Sequence, residues 1–235
     1  MEKQLNETID AIASKYNPAS IFLYGSRART DAKSNSDYEV GVLYKRGSKI
    51  ARRDIQALNP HKKIIVYPFE YESFLEHKID TPFPEKIFLR ELVEAGKTLF
   101  GEKVLENLAT PDIQAIDLLQ RVRFDTGIAL AAMLSARHGD KLSSAAGFSK
   151  SCLFGVRCLV ILKLKQFPTE YDDIWKHAKQ LGLEDYHDLF DQAFAFRSGK
   201  EPKAESLYKN ISLLVREVKE PILKVVEADP FLKIL

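Results

Sequence analysis

The sequence predicts an α+β protein in which strands and helices alternate in the N-terminal part and helices alone make up the remainder. Two observations lead to this fold class. Up to about residue 110, short β-rich runs bounded by Gly, Pro and Asn separate helical segments. After Thr110-Pro111, apolar residues recur at helical spacing in long segments, as they do in helical bundles. We therefore predict two domains, residues 1–110 and residues 111–235.

The N-terminal part begins with a helix over residues 3–15, because Leu5, Ile9 and Ile12 fall on one helical face before Asn17-Pro18 ends it. The elements predicted after it are a strand Ser20–Tyr24, a short helix Arg27–Thr30, a polar linker Asp31–Ser36, a strand Asp37–Tyr44, a helix Lys49–Leu58, a β-rich run Lys63–Tyr67, helices Glu70–His77 and Pro84–Ala95, and an extended piece Thr98–Phe100.

Five helical segments are predicted in the C-terminal part. They are Asp112–Arg137, Leu142–Gln166, Glu170–Leu181, Glu184–Ser198 and Lys203–Ala228. Pro221 lies inside the last segment, and we expect it to kink that helix or split it in two, since proline cannot donate the helical hydrogen bond. A five-helix bundle is the natural packing for such segments.

The composition is that of an ordinary globular protein, with 235 residues, 45% hydrophobic and 29% charged residues, and a net charge of +2. This charge gives no strong nucleic-acid signal. The polar N-terminus does not resemble a signal peptide, and the apolar stretch Cys152–Leu164 is too short to span a bilayer. We read Cys152 and Cys158 as buried free thiols, which suits a cytoplasmic protein without a membrane partner.

The most informative segment is residues 25–40, which read GSRARTDAKSNSDYEV. Asp37 and Glu39 stand two apart in a predicted strand, so their side chains project from the same face. Two neighbouring carboxylates are the oxygen ligands that suit Mg²⁺. Gly25-Ser26, after the apolar run Ile21–Tyr24, can present backbone N–H groups and a hydroxyl to a phosphate. Together these groups predict phosphoryl or nucleotidyl transfer.

The Gly-Ser turn followed by Ser-Asp-x-Glu resembles the nucleotidyltransferase (DNA polymerase β-like) superfamily. The spelling is most similar to the kanamycin nucleotidyltransferase group and to the minimal nucleotidyltransferases, and the order of an α/β half and a helical half is also that of the antibiotic nucleotidyltransferases. The resemblance implies an N-terminal mixed sheet with flanking helices, a helical C-terminal domain, and a homodimer.

The resemblance also implies roles for individual residues. Gly25 and Ser26 would hold the terminal phosphates of the nucleotide, and Arg29 or Arg27 would assist them. Asp37 and Glu39 would be the catalytic ligands of Mg²⁺. Members of this group place a general base after a phenylalanine in the first helix of the C-terminal half, which corresponds here to Asp125 after Phe124. Asp117 lies two turns earlier on the same predicted helix and is a further carboxylate there.

One position departs from the superfamily pattern. The superfamily usually supplies a third carboxylate from the next strand, and the matching position here is Ile65. Glu70 and Glu72 lie just beyond it, in what we predict to be the following helix, and are the nearest substitutes. The absence of an acid at Ile65 raises the question of whether the protein is fully active.

Three functions are compatible with these residues. The first is Mg²⁺-dependent transfer of a nucleoside monophosphate from an NTP, with ATP expected, to a hydroxyl of a small acceptor, with release of pyrophosphate. The second uses the same chemistry on a protein acceptor, as an AMPylating or antitoxin-type enzyme. The third is a catalytically degenerate module that senses nucleotides or binds a protein.

Overall fold

The computed structural model describes residues 2–29, 31–33, 36–45, 50–59, 61–81, 83–198 and 200–235. The chain forms two compact units, Met1–Pro111 and Asp112–Leu235, and the residues of each unit contact mainly one another. The first unit contains strands and helices, and the second contains helices, so the predicted α+β class is confirmed.

The first unit alternates helices and strands around a turn that follows its first strand. Its elements are α1 Glu2–Tyr16, β1 Ser20–Tyr24, a 3₁₀ turn Gly25–Arg27, β2 Tyr38–Tyr44, α2 Arg52–Gln56, β3 Ile64–Glu70, α3 Tyr71–Leu75, α4 Glu85–Ala95, β4 Lys97–Gly101 and α5 Val104–Asn107.

The four strands form one mixed sheet in the order β3-β2-β1-β4. β1 is antiparallel to both β2 and β4, whereas β2 and β3 are parallel. The register places Tyr24 of β1 opposite Glu39 of β2, and Glu39 in turn opposite Ile65 of β3. Three residues at one end of the sheet are thereby fixed side by side.

Each face of the sheet packs against its own apolar layer. Val40 and Val42 join a core cluster with Ile12 of α1 and Ile55 of α2. Leu43 joins a different cluster, which includes Phe74 of α3 and Leu89 and Leu92 of α4. Because side chains alternate along a strand, Glu39 projects on the same face as Leu43. It lies at the sheet end of the layer formed with α3 and α4.

A side chain of helix α2 hydrogen-bonds to the backbone at the outer edge of β3, as a neighbouring strand would. Gln56 donates from Nε2 to the Ile64 carbonyl at 3.0 Å and accepts from the Val66 N–H at 2.9 Å. Edge strands expose backbone groups of this kind, and an edge position also tolerates Pro68, which has no N–H to donate. These bonds fix α2 beside β3.

Several elements of the first unit differ from the sequence predictions. The predicted helix Arg27–Thr30 is instead a single 3₁₀ turn over Gly25–Arg27, because Gly25 has a φ of 70° that no regular helix contains. β3 runs on to Glu70, so Glu70 ends a strand and does not begin a helix as predicted. Thr30, and Gly47–Lys49 at the predicted start of the second helix, lie outside the described residues.

The second unit is built from helices. They are α6 Ala115–Arg137, α7 Lys141–Leu164, α8 Tyr171–Ala178, a 3₁₀ turn Glu184–Tyr186, α9 His187–Ala195, a 3₁₀ turn Phe196–Ser198, α10 Ala204–Ser212, a π-helix Leu213–Lys219 and α11 Glu220–Ala228.

We expected Pro221 to kink the last helix or to split it in two, and the structure shows no split. The backbone stays helical from Ala204 to Ala228, but the residues before Pro221 adopt the wider π-helical turn of Leu213–Lys219. Proline lacks an N–H and its ring crowds the carbonyl four residues earlier. A π-helical segment before it relieves both problems without ending the helix.

Helix α7 forms the centre of the second unit. Its 24 residues are long and apolar enough to cross a membrane by length and composition alone, but 78% of its most apolar window is buried inside the protein. Cys152 and Cys158 are free and buried in this helix. Burial raises the pKa of the Cys158 thiol to about 12 and that of Cys152 further still, so both stay protonated and unreactive.

Candidate active site

The turn after β1 brings the backbone of Gly25 against the side chain of Glu39. Gly25 has a φ of 70°, and its carbonyl accepts from the N–H groups of Ala28 at 3.1 Å and Arg29 at 3.2 Å. A Cβ atom on Gly25 would lie 2.8 Å from Glu39 Cδ and would overlap Oε2. Only glycine allows this approach. The structure thus joins the predicted Gly-Ser turn to one of the two predicted carboxylates.

Asp37 is exposed and stands immediately before β2, where the Tyr38 N–H donates to the Lys63 carbonyl at 2.7 Å. The strand therefore starts one residue later than predicted. Arg27 supports this strand end, since its Nε and Nη2 donate to the Ser36 carbonyl at 3.3 and 3.0 Å and its guanidinium lies 4.8 Å from the centre of the Tyr38 ring. Arg27 holds the backbone beside Asp37 by these contacts.

Arg29 makes ion pairs within the first unit. Its Nε lies 3.4 Å from Asp31 Oδ1 and its Nη1 lies 3.9 Å from Glu91 Oε1 of α4, and only 8% of its side chain is exposed. These contacts tie the segment after the turn to α4. The assignment of Arg29 and Ser26 to the nucleotide phosphates remains a prediction.

The third-carboxylate position is occupied by Ile65, which pairs in register with Glu39. Glu70 ends the same strand five positions later, about 16 Å further along at the usual rise of a strand. There it accepts from the Ser73 N–H at 2.8 Å and caps α3. Glu72 follows inside α3. Neither glutamate occupies the position beside Glu39.

The donor set fits a magnesium ion that also binds a nucleotide. In the described part of the chain, no three side chains of His, Cys, Asp or Glu form a group that could hold a metal. Mg²⁺ is commonly bound by only one or two carboxylates together with substrate phosphates and water. Asp37 and Glu39 are two such carboxylates, and the Glu39 carboxylate lies against the backbone of the turn at Gly25.

Tyr24 is a neighbour of Glu39 that the sequence interpretation did not single out. It is the last residue of β1 and lies opposite Glu39. Burial raises the pKa of the Tyr24 hydroxyl well above its ordinary value, the negative charge of Glu39 raises it further, and the Arg52 guanidinium partly opposes them. The hydroxyl therefore stays protonated as a hydrogen-bond donor. Its place directly before the Gly-Ser turn was the available signal.

Asp125 lies on α6 of the second unit. It is 2% exposed, and its Oδ2 accepts from Arg121 Nε at 2.8 Å, one helical turn earlier. The Arg121 guanidinium lies 5.2 Å from the centre of the Phe154 ring. The role of Asp125 as a general base remains a prediction. Asp117 has a structural part, since its Oδ2 accepts from the Gln114 N–H at 2.8 Å in a capping box at the start of α6.

Comparison with known proteins agrees with this geometry. Residues 7–103 match the family model described as "Polymerase beta, Nucleotidyltransferase". The first unit is a nucleotidyltransferase domain. The matched stretch contains the Gly25 turn, Asp37, Glu39 and Ile65, so the predicted superfamily is confirmed, and with it the prediction of a nucleotidyltransferase enzyme.

The nucleotidyltransferase domain and the helical unit together are similar in fold to a solved enzyme. This is spectinomycin adenyltransferase AAD(9) from Enterococcus faecialis, determined with ATP and spectinomycin. The TM-score is 0.57 at 14% sequence identity, over 95% of this chain and 99% of that chain. At such low identity the likeness concerns the fold. No protein of curated function matches the sequence significantly.

Proposed function

We propose that this protein transfers AMP from ATP to a hydroxyl group of a small-molecule acceptor and releases pyrophosphate, in a reaction that requires Mg²⁺. In this reaction the acceptor oxygen forms a bond to the α-phosphorus, and the bond from that phosphorus to the pyrophosphate oxygen breaks. The acceptor proton leaves to a base. Nucleotidyl transfer follows from the family of the domain, whereas the metal, the donor and the acceptor class are our inference.

The observation that carries the proposal is the contact between Glu39 and the bare backbone of Gly25. It sets a carboxylate beside a turn that begins directly after a strand, and Asp37 stands two residues before it. Anionic ligands at this point need a cation to offset repulsion between phosphates and carboxylates. Mg²⁺ bound by Asp37 and Glu39 would supply that charge and stabilise the charge that develops on the phosphate oxygens.

The remaining residues have distinct parts in the proposal. Gly25 and Ser26 offer backbone and hydroxyl groups to the terminal phosphates, and the protonated Tyr24 hydroxyl offers a donor beside Glu39. Arg27 orients the strand end at Asp37, and Arg29 adds positive charge on the turn. Asp125 takes the proton of the acceptor hydroxyl.

The likeness to one solved structure supports ATP and a small acceptor. AAD(9) was determined with ATP and spectinomycin, and its fold extends over almost the whole of this chain. The buried thiols suit a reducing compartment, so we propose a cytoplasmic enzyme, and the resemblance to antibiotic nucleotidyltransferases suggests a homodimer.

Calorimetry tests the proposal with ATP in the presence and absence of Mg²⁺. We expect binding that requires Mg²⁺ in the wild type and is lost in Asp37→Ala. Asp10→Ala, which removes an exposed carboxylate from α1, is the matched control and should bind ATP normally. Binding that is indifferent to Mg²⁺ and to Asp37 would contradict the proposal.

A second candidate function follows from Ile65 beside Glu39. With two carboxylates in place of three, the domain would bind ATP and Mg²⁺ as a sensor and transfer nothing. Incubation with α-labelled ATP and cell lysate separates the possibilities. Labelled small molecules support the leading proposal, labelled protein bands support a protein acceptor, and Mg²⁺-dependent binding without any labelled product supports the sensor.

A further inference from the structure

The first unit contains a pocket of about 280 Å³. It begins at Tyr67, two residues along β3 from the Ile65 position beside Glu39. It is lined by the end of β2, the start of α2, the second half of β3 and the segment after α3. Tyr44 and Glu70, at its far end, are each five residues along their strands from Glu39 and Ile65. The pocket therefore reaches about 16 Å away from the nucleotide carboxylates.

Two cations and two carboxylates line this pocket, but half of them are already engaged. Lys78 Nζ lies 2.9 Å from Glu76 Oε2, and Glu70 Oε2 accepts from the Ser73 N–H. The other two are Arg52 and Asp80. Among the described residues, Arg52 has no carboxylate partner and Asp80 has no cationic partner. One guanidinium and one carboxylate remain for a ligand.

Tyr67 contacts both residues, Arg52 through its guanidinium and Asp80 through its backbone. Its ring centre lies 5.0 Å below the Arg52 guanidinium, and its hydroxyl donates to the Asp80 backbone carbonyl at 3.2 Å. One side chain of the edge strand therefore contacts the Arg52 guanidinium and the backbone of Asp80 on the same pocket wall. Stacking of this kind leaves the edge of the guanidinium, where its N–H groups point, available for a carboxylate.

The charges decide which class of ligand fits. A polyphosphate would be repelled by Glu70 and Asp80, and a metal ion would be repelled by Arg52 and Lys78. A zwitterion complements both signs. Burial raises the pKa of the Tyr44 hydroxyl, and Glu70 and Asp80 raise it further, so Tyr44 adds no third negative charge. Ile50, Phe69 and Ile79 provide apolar walls.

We propose that this pocket binds a free α-amino acid with an apolar side chain, with its carboxylate on Arg52 and its ammonium group on Asp80. The volume is just below the range of pockets for drug-sized ligands, which agrees with a ligand of this size. Tyr67, which stacks on Arg52, stands two residues after Ile65 on the same face of β3, so the pocket adjoins the site at Glu39. Binding of the amino acid does not itself require nucleotidyl transfer.

The test is calorimetry on the full chain without ATP or Mg²⁺, with l-leucine and l-phenylalanine as probes. At least one should bind. Leucinamide lacks the carboxylate and N-acetyl-leucine lacks the ammonium group, so each loses one charged contact. We expect each to bind about tenfold or more weakly than leucine, the usual loss for a hydrogen bond to a charged group.

Substitutions at the exposed residues Arg52 and Asp80 show which charged group of the amino acid each residue binds. Arg52→Gln should bind leucine about tenfold more weakly than the wild type does. It should bind leucine no better than it binds leucinamide. In Asp80→Asn, leucine should bind no better than N-acetyl-leucine. Arg53→Gln changes the same charge on the adjacent residue, which pairs with Asp54 outside the pocket, and should bind as the wild type does.

Failure of both amino acids to bind the wild type would overturn the proposal. So would equal binding by leucine, leucinamide and N-acetyl-leucine, a comparison that needs no variant to fold. Because these measurements contain no nucleotide, their failure leaves the proposal of AMP transfer untouched, and failure of ATP binding leaves the amino-acid site untouched.

Discussion

The two units hold carboxylates in contrasting surroundings. Glu39, half-buried at the end of the sheet, rests on a glycine backbone beside an exposed Asp37. Asp125, in the helical unit, is 2% exposed and hydrogen-bonded to Arg121 on its own helix. A sheet end followed by a tight turn leaves carboxylate oxygens beside open backbone, whereas a buried helix tolerates a charge only with a partner. The first surroundings present carboxylates to a ligand, whereas in the second Asp125 must act as the proposed base while it stays paired with Arg121.

The largest effect is expected at the sheet end. Asp37→Ala should lower AMP transfer by about 1000-fold or more, because one of two ligands of the metal is lost. The free energy of unfolding should not change, since Asp37 is exposed. Pyrophosphate release measures the first quantity and urea unfolding the second. Retention of transfer in this variant would refute the assignment of Asp37.

Asp125→Asn tests whether the paired carboxylate is more than structural. As a general base, Asp125 should account for about 100-fold to 10,000-fold in kcat. ATP binding should be unchanged, and Asn keeps an oxygen for Arg121 Nε.

Arg121→Met is the comparison for this prediction, since it breaks the same buried pair from the other side at a cost of about 3–5 kcal/mol. Equal losses of kcat and of unfolding free energy in the two variants would mean that Asp125 acts only in structure. A loss of kcat confined to Asp125→Asn would support the base.

Gly25→Ala should affect both stability and ligand binding. The added methyl group meets Glu39, so we expect a loss of about 2–3 kcal/mol in unfolding free energy and ATP binding about tenfold weaker.

Gly182→Ala is the matched control, because Gly182 has the same φ of 70° and a Cβ there meets nothing within 4 Å. It should cost about 1 kcal/mol from the backbone alone. If the two variants lose the same stability and both bind ATP normally, the contact with Glu39 is unimportant.

The smallest effect is expected from Ile65→Asp, which returns a carboxylate to the strand position beside Glu39. We expect Mg²⁺-dependent ATP binding to tighten by a few-fold, since a third oxygen ligand adds to two. Asn is similar in shape to Asp but carries no charge, so Ile65→Asn should leave the affinity for ATP unchanged. Identical affinities for the two variants, measured by calorimetry, would show that this position does not face the metal.

Local sequence patterns were sufficient for much of the first unit. The bounds of β1 agree with the structure, because the apolar run Ile21–Tyr24 is delimited by Pro18 and Gly25. Helix α1 follows from its apolar spacing in the same way. The motif around Asp37 and Glu39 was recognisable from their residue types and their spacing after the Gly-Ser turn, which are local properties of the sequence.

Tertiary structure alone decided how these pieces meet. The pairing of Glu39 with Ile65, the overlap that excludes a side chain at Gly25, and the stacking of Arg52 on Tyr67 all join residues distant in the chain. The strand β3 continues through Pro68 because it lies at an edge of the sheet, and its place at the edge depends on the strand order. Periodicity determines which face a residue occupies, but register and partners depend on packing between segments that the sequence pattern does not relate.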